Sequence, residues 1–119
     1  MRYLALIHAD ESGWEALGDD ARSAMLDRYR TFADEARAEG KLVDGYELQP
    51  TSTATTVRVI DGETVVTDGP FAELREQIGG YFVLDCDSID EAVAVAARIP
   101  AAEHGAVEVR PGVPEEEGS

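Results

Sequence analysis

Two short segments, Arg2 to His8 and Tyr81 to Cys86, are apolar on both faces that a β-strand presents. Side chains alternate along a strand. Tyr3, Ala5 and Ile7 therefore point one way and Leu4 and Leu6 the other, while Tyr81 and Val83 oppose Phe82 and Leu84. Strands of this kind belong in the middle of a sheet covered on both faces. A chain of 119 residues is a single domain of ordinary size. Its hydrophobic fraction of 44% supports a normal core without disulfides or structural metal, but leaves little material for a second covering layer.

The rest of the pattern supplies that cover unevenly. Met25, Tyr29, Phe32 and Ala36 recur on one helical face within a helix from Asp19 to Glu39. Asp19 and Asp20 suit its positive end, and Gly40 stops it. Ala9 to Gly18 reads as a loop or a short helical turn, with Ser12 and Glu15 at capping-box spacing. Lys41 to Leu48 reads as a strand with Leu42, Tyr46 and Leu48 on one side. Two β-rich runs, Thr55 to Ile60 and Thr64 to Thr67, flank Asp61-Gly62-Glu63, a strong hairpin signal. Ala72 to Ile78 is expected to form one or two helical turns ended by Gly79-Gly80. Ser88, with Glu91 three residues on, opens a second long helix. Its apolar face is Ile89, Ala92, Val93, Ala96 and Ile99, and Pro100 ends it. Ala106 to Arg110 is the last strand. One domain spans 1–111, and 112–119, with Glu115-Glu116-Glu117, reads as a flexible acidic tail.

Without the hairpin the order is strand, helix, strand, strand, helix, strand. That order predicts an α+β fold of the ferredoxin-like, split βαβ type, with residues 2–8 and 81–86 as the central strands. The helices then cover one face and leave an apolar patch on the other, which soluble monomers seldom expose. Two covers are conceivable: a second subunit packed sheet to sheet about a twofold axis, or the inserted hairpin folded back.

Composition narrows the partners. Acids number 25 and bases 10, a formal charge of −15. Phosphate backbones and anionic membranes are bound through Lys and Arg, so neither nucleic acid nor a membrane surface is an expected partner. No signal-peptide pattern and no spanning apolar run is seen, and the single cysteine, Cys86, fits a reducing cytoplasm. His8, His104 and Cys86 lack zinc-type spacing, and no loop has an EF-hand pattern. Gly79-Gly80 lacks the helix and lysine of a phosphate loop, and no Gly-x-Ser-x-Gly elbow occurs. No metal or cofactor is expected.

The stretch Val66-Thr67-Asp68-Gly69-Pro70-Phe71-Ala72-Glu73, followed by Glu76-Gln77-Ile78-Gly79-Gly80-Tyr81-Phe82, closely resembles the DGPF branch of the YCII-related domain proteins. Arg2 to Ile7, Leu48 to Arg58 and Gly105 to Pro111 carry the same resemblance. It implies a dimeric α+β barrel. It does not imply a defined activity, although some relatives in the wider superfamily are enzymes and a His–Asp pair has been proposed for YCII-like proteins. It also implies proximity to extracytoplasmic-function sigma factors, of which this chain contains no region. The helix from Asp19 to Gly40 has no His, so that pair does not transfer, and Leu74-Arg75 stands where relatives often carry Thr-Lys.

Three functions follow as expectations: a homodimer that binds a small molecule between sheet and helices, an enzyme of unknown reaction, or a regulatory partner of a sigma factor. For an enzyme the catalytic candidates are Asp68 and His8. Asp68 follows a strand and precedes a rigid Gly-Pro turn, so it reads either as a general acid or base or as a cap on that turn. His8, at the end of a central strand, has a side chain suited to proton transfer near neutrality, and with Asp10 and Asp68 makes a polar cluster if the loops converge. The ligand-contacting set is Asp68, Gly69, Pro70, Phe71, Arg75 and Tyr81. Within it Gly69 and Pro70 also read as turn formers, Phe71 as a core anchor, and Arg75 as an ion-pair partner of Glu73 or Glu76. Cys86 reads as a small core residue and His104 as a solvated loop residue.

Overall fold

The computed structural model describes residues 1–114; most of the acidic tail expectation lies outside them. These residues form strands β1 (Arg2–Ala9), β2 (Leu42–Glu47), β3 (Thr55–Ile60), β4 (Glu63–Asp68), β5 (Gln77–Asp85) and β6 (Ala106–Pro111), with helices α1 (Glu11–Glu15), α2 (Asp19–Ala38) and α3 (Ile89–Ala96). Four strands form an antiparallel sheet of order β2-β5-β1-β6, so the two doubly apolar segments are its centre. The molecule is α+β. β3 and β4 form a separate two-stranded ribbon.

Local chemistry sets the element ends. Asp10 caps α1 by accepting from the Ser12 amide at 2.9 Å and the Ser12 hydroxyl at 2.6 Å, so the cap is Asp10 and not Ser12. α2 ends as the sequence indicates. Gly40 has φ +76°, its N–H donates to Arg37 O, and the Lys41 N–H donates to Ala36 O, a Schellman closure. Ser88 accepts from the Glu91 amide at 3.1 Å and starts α3. The hairpin turns at Asp61 (φ +50°) and Gly62 (φ +82°), a type I′ turn between the Ile60–Glu63 pair.

Both long helices lie on one face of the sheet. Tyr3, Ala5 and Ile7 of β1 and Leu84 of β5 meet Phe32 and Ala36 of α2 and Ala92 and Val95 of α3 in the buried core. Val95 replaces the expected Val93, which is 52% exposed. The opposite face carries Leu4, Leu6, Tyr81 and Val83, all half-buried, and among the described residues no helix or strand packs over it.

Three further expectations are corrected. Residues 72–76 form no helix, and β5 begins at Gln77, so Gly79-Gly80 lies inside a strand. A Cβ on Gly80 would sit 2.9 Å from Tyr46 O, a close backbone approach that needs glycine, and Gly79 is the extra residue of a bulge opposite Ile7 and His8. A second irregularity at Val43 lets Leu42 pair with Leu84 on the helix face while Asp44 and Tyr46 pair with Val83 and Tyr81 on the open face. Leu42 and Tyr46 therefore do not share a side.

Candidate functional site

β2 ends, and β5 and α1 begin, at the same end of the sheet, because β2 and β1 both run antiparallel to β5. A cleft of about 660 Å³ opens there between the sheet and the helices α1 and α2. Its wall is largely apolar, built from Ile7, Trp14, Leu26, Tyr29, Ala33 and Phe82. Gly45 keeps part of it open: a Cβ there would lie 2.5 Å from Phe82 Cδ1 and 2.7 Å from Tyr81 O. The Phe82 ring is held edge-on to Phe32 at 5.2 Å.

Polar groups are few and mostly acidic. Asp10, Glu11, Glu15 and Glu47 line the cleft against a single base, Arg30. Glu11 is engaged: its carboxylate accepts from the Thr51 amide at 2.8 Å and the Thr51 hydroxyl at 3.0 Å, tying α1 to the segment after β2. Burial pushes the Tyr29 phenol above its ordinary pKa, and Glu47 adds to that, against a hydrogen bond with the Ala101 backbone.

A second depression, about 710 Å³ and more open, lies beyond the end of β1. His8, Asp10, Arg75, Glu76, His104 and Glu108 border it. His8 Nε2 lies 3.0 Å from Glu108 Oε1, and Arg75 Nε lies 3.6 Å from Asp10 Oδ2. The Asp10 carboxyl is held below the usual carboxylate range, first by its hydrogen bonds from Ser12 and then by Arg75. Of the cluster expected from His8, Asp10 and Asp68, His8 and Asp10 border this depression and Asp68 does not, while Glu108 joins it unforeseen. Glu108 lies diagonally from His8 across the β1–β6 ladder, so only the strand register shows it.

The other residues singled out from sequence do not gather here. Asp68 closes β4 opposite Thr55, is exposed, and lines neither cavity. Among the described residues its carboxylate makes no hydrogen bond. The Gly69 N–H donates instead to Ala54 O at 2.7 Å, and Gly69 O accepts from the Thr56 hydroxyl at 2.8 Å. Gly69 has φ +100°, so glycine is required at this turn, and Pro70 beside it is half-buried. Phe71 is no core anchor: it is 78% exposed, with the Arg58 guanidinium 5.8 Å from its ring. Arg75 pairs with Asp10 rather than with Glu73 or Glu76. Tyr81 stands on the open sheet face, 6.1 Å from the Tyr46 ring. Cys86 is buried, as expected of a small core residue.

A helix-covered antiparallel sheet, a detached hairpin and an apolar cleft at one end of the sheet define a small α+β protein with room for a small molecule. The chain belongs to the YCII-related domain family, which it matches over residues 1–115. It is 37% identical over 113 residues to an uncharacterised protein of Rhizobium meliloti (strain 1021), covering 93% of this chain and 91% of the relative.

Proposed function

We propose that this YCII-related protein is a cytoplasmic homodimer of the DGPF branch that binds a small molecule in the cleft beneath α2. The observation that carries the binding role is the cleft itself. About 660 Å³ lies within the range of small-molecule sites, and its apolar wall carries only a few polar groups. Four acids against one base favour a ligand with an apolar body and a neutral or cationic head. The sheet order supports a ferredoxin-like subunit, and the bare apolar face supports the pairing of two such sheets as a dimeric α+β barrel.

The enzyme reading, with Asp68 and His8 sharing a proton, asks for one pocket, and the two residues occupy different places in the chain. A role beside a sigma factor rests on family resemblance alone. The binding role is tested by a thermal-shift screen of small amines, alcohols and aromatic compounds on the wild type and on Ala33→Trp, which fills the cleft from α2. Compounds that raise the wild-type Tm and leave the variant unmoved support the cleft. Compounds that stabilise both equally place binding elsewhere, and a screen without any stabiliser refutes the binding role.

A further inference from the structure

We propose that the β3–β4 hairpin is an arm that clasps a second copy of this chain through the face formed by Val57, Val59 and Val66. The inference rests on the homodimer reading above and adds to it where each subunit is held. β3 and β4 pack chiefly on each other and contribute no residue to the core. The Cα radius of gyration is 16.4 Å, with extents of 49 × 46 × 18 Å, against roughly 13–14 Å for a compact chain of this length. The described residues thus form a flat, extended body.

The ladder pairs sort the arm into two faces. Thr55, Val57 and Val59 lie with Thr64, Val66 and Asp68 on one side, and Thr56, Arg58 and Ile60 with Glu63, Val65 and Thr67 on the other. On the first side Val57, Val59 and Val66 are 59%, 69% and 61% exposed. That side carries one charge, Asp68 at the root, in a chain with 35 charged Lys, Arg, Asp and Glu side chains. A two-stranded ribbon alone is marginal in water, so an arm of this composition calls for a surface to lie on.

Area and charge select a second copy as that surface. A four-stranded face about six residues long covers roughly 400 Å², about half of the ~800 Å² per partner that a stable complex buries. One arm face adds roughly 200 Å², and the strip covered by the partner's arm adds as much again. Sheet and arms together reach the usual size; the sheet alone does not. On the open face the residues Asp44, Val83, Leu4 and Arg110 lie in one transverse row, with the acid on the outer strand β2 and the base on the outer strand β6. A twofold axis parallel to the strands brings each Asp44 opposite the partner's Arg110. The same axis sets Arg2 opposite the partner's Asp85 and Glu108 opposite the partner's Tyr46, so no two like charges are brought face to face, which a protein of net charge −15 needs if it is to pair with itself. The Asp68-Gly69-Pro70 turn then sets the angle at which the arm leaves the body, and Phe71 stands at its root.

The test is sedimentation equilibrium of the full chain beside Val57→Asp/Val66→Asp, with hydrogen exchange of the arm amides. The expected result is a wild-type dimer, at least about 100-fold weaker association in the variant with an unchanged far-UV spectrum, and arm protection that falls as wild-type dimer is diluted. A wild-type dimer whose dissociation constant the variant leaves unchanged, or whose arm amides exchange without protection, overturns the clasp and leaves the sheet-to-sheet dimer standing. A wild-type monomer overturns both. An arm protected equally at every concentration shows the hairpin folded on its own body and also overturns the clasp.

Discussion

Val83 and Leu84 are neighbours on β5 with opposite surroundings, and truncating each to alanine separates the two faces of the sheet. Leu84 is fully buried between the Tyr3 and Leu42 positions of the adjoining strands, under the helices. Removing its outer carbons costs about 0.8 kcal/mol per methylene-sized group, and the unfilled hole adds a cavity term. The expected loss for Leu84→Ala is about 3–4 kcal/mol, a large part of the roughly 6–18 kcal/mol available to a chain of this length. It should be independent of protein concentration beyond the dependence of the wild type. Val83 sits on the open face and is half-buried in the single chain. Val83→Ala should cost under about 1 kcal/mol at high dilution, with a deficit that grows as concentration rises and the partner covers the site. Urea unfolding followed by circular dichroism at several concentrations reads both, with an unchanged m-value as the check on two-state behaviour. A Leu84→Ala loss below about 1.5 kcal/mol, or Val83→Ala deficits that ignore concentration, refutes this division of the sheet.

Gly69→Ala forces a side chain into φ +100° and should destabilise the arm root by about 1–2 kcal/mol, visible as faster amide exchange in β3 and β4. The carboxyls of Asp10, Glu39 and Glu103 are held below their ordinary pKa by hydrogen bonds from Ser12, Arg98 and Arg28 respectively. Their stabilisation is complete above the unfolded-state pKa near 4 and fades as pH falls through the lowered values, so Tm should drop below about pH 4 and drop less in the Arg98→Gln variant. Cys86 is 2% exposed and burial pushes its thiol pKa up, so Ellman's reagent at pH 8 should react only as the protein unfolds. Rapid labelling of the folded protein would contradict that burial.

Local signals were legible where the chain itself supplies the constraint. Asp61-Gly62 accepts positive φ at both positions, and Gly40 closes α2 whatever the tertiary context. The apolar run in residues 2–8, greasy on both faces, placed β1 at the centre of the sheet, because neither outer strand is apolar on both sides. What sequence reasoning missed depends on distant neighbours. Gly79-Gly80 looks like a break until Tyr46 O is seen 2.9 Å from the place of a Cβ. The bulge at Val43 flips half of β2 relative to Leu42, and only the pairing with β5 reveals it. The same holds for the site. The Asp-Gly-Pro-Phe run stands out in sequence, yet it forms the root of an arm, while the cleft is assembled from Trp14, Tyr29, Ala33 and Phe82, residues without any motif. Glu108 became a partner of His8 through strand register alone.

The most direct test of the central claim is the solution mass of the full chain by light scattering at micromolar concentration. Paired sheets give a particle of twice the 12.8 kDa chain mass. A single 12.8 kDa species at that concentration would mean that the open face of β1 and β5 remains in water, contradicting the paired sheets and the clasping arm together.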